Sequence, residues 1–139
     1  VFDFSDTRFL GTVPREVHFD NGRFEGGEIR FDRALFRDRL VSLEETDFRK
    51  TVLSFQQCRF EESSLFLSAS RFDGGSLRIQ ETVFEKGDLD LQGAIFNEVV
   101  PSFTNTAIRY GEFRKDGLQS VHPISLEGLD LSKADGSKS

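Results

Sequence analysis

The chain of 139 residues has no tryptophan, no methionine, one tyrosine (Tyr110), one cysteine, two histidines and three prolines. The single Cys58 excludes an internal disulfide framework and is compatible with a reducing cytoplasm, the expected location. His18 and His122 stand alone, so no Cys or His cluster has metal-ligand spacing, and neither metal nor cofactor is expected. An excess of basic charge is also missing. Lys and Arg number 18 against 24 Asp and Glu, a formal charge of −6, which disfavours direct nucleic-acid binding. No apolar run approaches the roughly 20 residues of a membrane span, so no membrane segment is expected in this chain. No signal-peptide pattern is visible and the first residue is Val1, not Met. The expectation is a processed or excised piece of a longer protein.

Hydrophobic residues make up only 37%, yet 16 residues are Phe. Phe24, Phe36, Phe48, Phe60, Phe72, Phe84 and Phe96 are twelve apart, and Ile108 continues the series. Beside it run Phe19, Phe31, Leu43, Phe55, Leu67, Ile79, Leu91 and Phe103. Units counted from Arg15 carry an apolar third position (Val17, Ile29, Val41, Leu53, Leu65, Leu77, Leu89, Pro101). Their eighth position is small (Gly22, Ala34, Thr46, Cys58, Ser70, Thr82, Ala94, Thr106). A fixed period over eight units marks a solenoid of near-identical repeats. The fold expected is therefore all-β: a single-domain β-solenoid, or β-helix, with twelve-residue repeats and a stacked Phe core.

Third and fifth positions lie two apart, so both face one side of a short strand, as do the eighth and tenth. Polar pairs such as Asp32-Arg33 and Gln80-Glu81 suit a tight turn between them. The stretch from eleventh to second position, rich in Gly and charge, makes a wider turn, with Gly26-Gly27 and Gly74-Gly75 as turn glycines. No helical period is sustained. Phe and Leu partly alternate at the fifth position, which is compatible with a coil of two repeats. The unbroken Phe column favours one coil per twelve residues, and thus a rod of roughly 38 Å from eight coils about 4.8 Å apart. An earlier partial unit holds Phe2, Phe4, Thr7 and Phe9, followed by a three-residue insertion around Leu10 to Pro14.

FDRALF (Phe31 to Phe36), FQQCRF (Phe55 to Phe60) and LQGAIF (Leu91 to Phe96) share a large residue, a small one three later and a large one two beyond. This resembles the pentapeptide-repeat superfamily, in particular its Phe-rich twelve-residue variant, over about residues 1 to 110. The resemblance implies right-handed winding. It also raises a DNA-mimicking role, since some such proteins resemble duplex DNA and act on type II topoisomerases. The inward spacing of 5, 5, 2 departs from the family's square coil of twenty residues and points to a flatter, two-sided coil.

No catalytic constellation is present, so the chain is expected not to be an enzyme. Two surface features are candidates for partner binding. The first is the sixth-position row Asp20, Asp32 and Glu44, which one-repeat coils would stack into a carboxylate column. Neutralisation by Arg30 and Arg33 is the favoured account; DNA mimicry, partner binding and a Ca²⁺-like cation are the others. The second is the outward apolar column Val83, Ile95 and Ala107, with Leu40, Val52, Val100 and Phe66 also outward. Beyond Tyr110 the repeat register is lost. Residues 111–133 are expected to form a cap or fold-back segment, carried by Ile124, Leu126, Leu129 and Leu131 and lying over the coil end or across the Val83–Ile95 column, and 134–139 a disordered tail. Self-association through the solenoid ends, where Phe2 and Phe4 lie, or through the apolar column is the expected route to an oligomer. The functional expectation is a non-enzymatic protein-interaction or scaffolding module. The DNA-mimicking regulator of a DNA-handling enzyme is the alternative.

Overall fold

A computed structural model describes residues 2–10, 16–18 and 21–135, the segment 16–18 through its backbone alone. All strand pairing is parallel and the described residues contain no helix. The partners fix the length of a turn. Phe48 pairs with Phe72 and Phe24, Phe60 with Phe84 and Phe36, and Leu65 with Leu89 and Val41. Every step is 24 residues, so each coil consumes two repeats, not one. One sheet stacks six strands from Arg8–Phe9 to Leu129–Lys133, which is about five turns. The stack is therefore roughly 24 Å tall at about 4.8 Å per turn, well short of the expected 38 Å.

The corners explain the shape. Backbone φ is positive at the seventh position of successive units (Asn21, Arg33, Glu45, Gln57, Ala69, Glu81, Gly93, Asn105) and at the twelfth (Gly26, Asp38, Lys50, Glu62, Gly74, Lys86, Glu98, Tyr110). A left-handed residue reverses the local path of an extended chain. Two such corners per repeat make four per coil, so the expected two-sided coil is replaced by a four-sided one. One corner, at Lys50 and Gly74, is shallow enough that Asp47–Gln56 and Arg71–Gln80 each run as one bent strand across two sides. Hence three parallel sheets serve four sides.

Inside, odd and even repeats face each other across the coil. The Phe series splits into two ladders. Phe24, Phe48, Phe72 and Phe96 stack at centroid distances of 5.5, 4.9 and 4.9 Å. Phe36, Phe60 and Phe84 stack at 4.6 and 4.4 Å. The fifth position splits too. Phe4, Phe31 and Phe55 stack at 5.0 and 4.9 Å, while Leu43, Leu67 and Leu91 form a fully buried column of their own. A Phe column and a Leu column fill one interior that two Phe columns would overfill.

The eighth position does more than make room. Thr82 Oγ1 donates to Phe55 O (2.7 Å), Thr106 Oγ1 to Ile79 O (2.7 Å) and Ser70 Oγ to Leu43 O (2.5 Å). Each hydroxyl also accepts where a backbone N–H reaches it, as Thr46 N and Cys58 N do for Ser70 and Thr82. These hydroxyls satisfy polar groups that the buried inner wall would otherwise strand.

The three-residue insertion is real in the pairing. Phe2 meets Ile29 and Arg8 meets Leu35, offsets of 27 rather than 24. At the other end the coil does not stop at Tyr110. Phe113 pairs with Leu89, Gln119 with Ile95 and Leu129 with Thr106. Sequence similarity fades there because Lys115 and Ser120 stand where the repeat has large apolar residues and Leu118 where it has a small one, while the backbone path persists. Ile124, Leu126, Leu129 and Leu131 are half-buried against the core.

Candidate interaction surfaces

The 24-residue coil redistributes both candidate rows. Asp20 lies outside the described residues. Asp32 stands in a column with Gln56 and Gln80, whereas Glu44 belongs to the opposite side with Ser68 and Gln92, as the rungs Arg33 N to Gln56 O and Glu45 N to Ser68 O show. Asp32 and Glu44 thus do not stack. Asp32 Oδ1 accepts from Ser54 Oγ at 2.6 Å and from Gln56 N at 3.0 Å, and the column continues by Gln56 Nε2 to Gln80 Oε1 (2.9 Å) and Gln80 Nε2 to Ser102 Oγ (2.8 Å). The expected neutralising arginines are engaged elsewhere. Arg33 makes a two-pronged pair with Asp6 (2.7 and 3.0 Å), which holds that carboxyl below the usual range, and Arg30 pairs with Glu28.

The apolar column divides in the same way. Val83 pairs with Ala107 and Arg59 on one side. Ile95 pairs with Arg71 and Gln119 on another. Val83 and Ile95 are half-buried, and Ala107 is buried. The final strand Leu129–Lys133 extends the sheet edge beside Ala107 and does not cross Ile95.

The true columns show patterns that a twelve-residue register hides. On one side Arg23, Asp47 and Arg71 alternate in charge, and beside them Glu25, Arg49 and Asp73 alternate in the opposite phase. Arg23–Glu25 and Arg49–Asp47 are ion pairs at 3.3 Å. On the side of Val83, Glu61 binds Arg37 at 2.9 Å and Arg59 at 3.3 Å, and these bonds, Arg37's first, keep its carboxyl below the usual range. Farther on, Arg114 gathers Glu112 (2.7 Å), Asp88 (3.5 Å) and Asp90 (4.0 Å). Such exposed pairs contribute little each, about 0–1 kcal/mol, but they leave these sides electrically mixed.

One side differs in charge. The second halves of Asp47–Gln56 and Arg71–Gln80 present the second, fourth and sixth positions of the repeat, as Leu40, Ser42 and Glu44 do on the opposite side. Above Glu28, Arg30 and Asp32 these columns hold Val52, Ser54 and Gln56, then Ser76, Arg78 and Gln80, then Val100, Ser102 and Thr104. Only Arg78 is charged in that stretch, in a chain where 30% of residues are charged. Arg78 is exposed, has no ion pair among the described residues, and sits between Ser54 and Ser102. Val100 is 50% exposed. Depletion of charge around an arginine is the composition of an interface centre.

Cys58 is 1% exposed, and its thiol donates to Phe31 O at 2.9 Å in the place that Thr82 and Thr106 fill with hydroxyls. Burial pushes the thiol up to about 12. The sign follows from the neutral form being the buried one. Stability is intact below the unfolded thiol's pKa of about 9 and falls as pH rises from there toward 12. In a thiol-reagent assay at pH 8, Cys58 is expected to stay unlabelled in the native chain and to react within minutes in denaturant. Fast native labelling would contradict the burial. Among the described residues no group of three His, Cys, Asp or Glu side chains is placed to hold a metal ion, and no helix is long and apolar enough to cross a membrane. No family model matches the chain and no curated protein matches it. The chain is a parallel β-solenoid built from a two-repeat coil.

Proposed function

We propose that this chain is a non-enzymatic interaction or scaffolding module that presents a broad, charge-depleted side to a protein partner. The observation that carries the reading is the surface formed by Val52, Gln56, Ser76, Arg78, Gln80, Val100 and Ser102, with Ser54 buried beneath it. Above Asp32 it is nearly uncharged, while the sides of Arg23 and Glu61 carry interleaved ion pairs. The solenoid supports such a role because residues one coil apart are held at about 4.8 Å by the ladders beneath them. The repeat motif aligns the module with the pentapeptide-repeat superfamily, and the DNA-mimicking role rests on that resemblance alone. In this structure arginines are interleaved with carboxylates on the sides of Arg23 and Glu61, which favours a protein surface over a mimic of a uniform polyanion. Val83 and Ile95 would belong to two separate contact areas.

The test is affinity capture with the intact chain and two variants. Val52→Glu, Arg78→Glu and Val100→Glu together alter the charge-depleted side; Asp47→Asn with Asp73→Asn alters the alternating side. The partner is expected to be retained by the second variant and lost by the first, with both shown to be folded by circular dichroism. Equal retention by both variants would refute the assignment.

A further inference from the structure

The interior does not close tightly at the C-terminal end. Coil-on-coil pairing runs through Phe113–Arg114 and Gln119–Ser120 and resumes at Leu129–Lys133. In between, Ile124 and Leu126 return over the core. Beneath them lies a cavity of about 380 Å³ walled by Leu91, Phe103, Phe113, Leu118, Ile124 and Leu126. That volume lies within the range of ligand pockets, roughly 300–1,000 Å³.

Lys115, Asp116 and Gly117 complete the lining, and the repeat itself sets one of the two charged residues at an inward position. Leu43, Leu67 and Leu91 form the fully buried leucine column. The rungs Leu67 N to Asp90 O (2.8 Å) and Leu91 N to Arg114 O (2.7 Å) carry that column to Lys115. A lysine therefore occupies the inward position of the last rung, and it lines the cavity. It is exposed and has no ion pair among the described residues. Asp116 also borders the cavity, but its column is the outward one of Glu44, Ser68 and Gln92, so the acid sits on the rim. An aliphatic stem can lie along apolar walls and leave its ammonium at the mouth.

We infer that this end cavity binds a small ligand with an apolar body and a terminal carboxylate, the body among Phe103, Phe113 and Leu126 and the carboxylate on Lys115. The inference is independent of the partner surface proposed above, which lies on the outer side of the coil. The probe is decanoate, with decyltrimethylammonium as the same tail bearing the opposite charge, each titrated into the whole chain by methyl NMR. Decanoate is expected to saturate one site and to shift the methyls of Leu91, Leu118, Ile124 and Leu126. Lys115→Met continues the apolar column and should keep the fold. It is expected to weaken decanoate about tenfold, the loss of one charge-assisted contact. The cationic probe should bind the native chain less tightly than decanoate. No saturable binding, shifts confined to other residues, equal affinity for the two probes, or an unchanged affinity in Lys115→Met would each overturn the assignment.

Discussion

Phe60→Ala is expected to lower unfolding free energy by about 3–5 kcal/mol, the usual cost of emptying a buried Phe site. Phe60 is fully buried in mid-stack, 4.6 Å from Phe36 and 4.4 Å from Phe84 with ring planes 11° apart in both pairs, and it tilts against Phe55 at 6.0 Å. The substitution removes two stacking contacts, each worth about 0.5–1.5 kcal/mol beyond area, and opens a void that rings on adjacent coils cannot fill without losing their own partners. Phe2→Ala is the control: Phe2 is 56% exposed at the open end and meets Phe24 only edge-on at 6.2 Å. Its cost should stay under about 1 kcal/mol. Urea unfolding at fixed pH separates the two. A Phe60→Ala loss below about 1 kcal/mol would sink the stacked core. Because a solenoid is stabilised by neighbour contacts, a broadened transition in this variant would show the coils uncoupling at the defect.

Gly87→Ala is expected to be nearly as damaging although it adds a single carbon. A Cβ at Gly87 would stand 1.8 Å from Ser63 O and 2.7 Å from Ser63 C, atoms of the backbone one coil below. Backbone cannot rotate away, so the coils must part locally, at a cost of about 3 kcal/mol, the upper range for overpacking. Gly26→Ala makes the contrast. Its Cβ would meet nothing within 4 Å, and the φ of +72° is the only penalty, about 1–2 kcal/mol. Equal losses for the two glycines in the same urea assay would show that close approach does not govern the Gly87 position.

The repeat was legible in the sequence because the interior repeats most faithfully: Phe36, Phe60 and Phe84 serve one column, which Ile108 continues as another large apolar side chain. Coil length was not legible from the Phe series, since a period of twelve is satisfied equally by rings stacked at every repeat and by two ladders facing each other. The deciding signal lay at the fifth position, where Phe31 and Phe55 alternate with Leu43 and Leu67. The corners were hidden for another reason. Arg33, Gln57, Glu62 and Lys86 adopt positive φ without being Gly or Asn, so no composition cue marks them. The outer columns followed from coil length. Asp32 with Glu44, and Val83 with Ile95, looked adjacent only while a coil was counted as one repeat. The triplets RFE, DFR and RFD at 23–25, 47–49 and 71–73 carried the charge alternation all along, at a spacing of 24. Lys115 is hidden in the sequence because the apolar register fails after Tyr110, although the coil continues.

The two-repeat coil also gives the chain a parity. Adding or removing one twelve-residue unit leaves the motif count tidy, yet it rotates everything downstream by half a turn. Phe55 would then come over Leu43, Arg59 would change sides with Arg71, and each outward column would be spliced to the wrong continuation. Changes by pairs of units preserve every column. Growth or shortening of such a rod is therefore quantised in steps of two, and the surface, not the core motif, is what enforces the step.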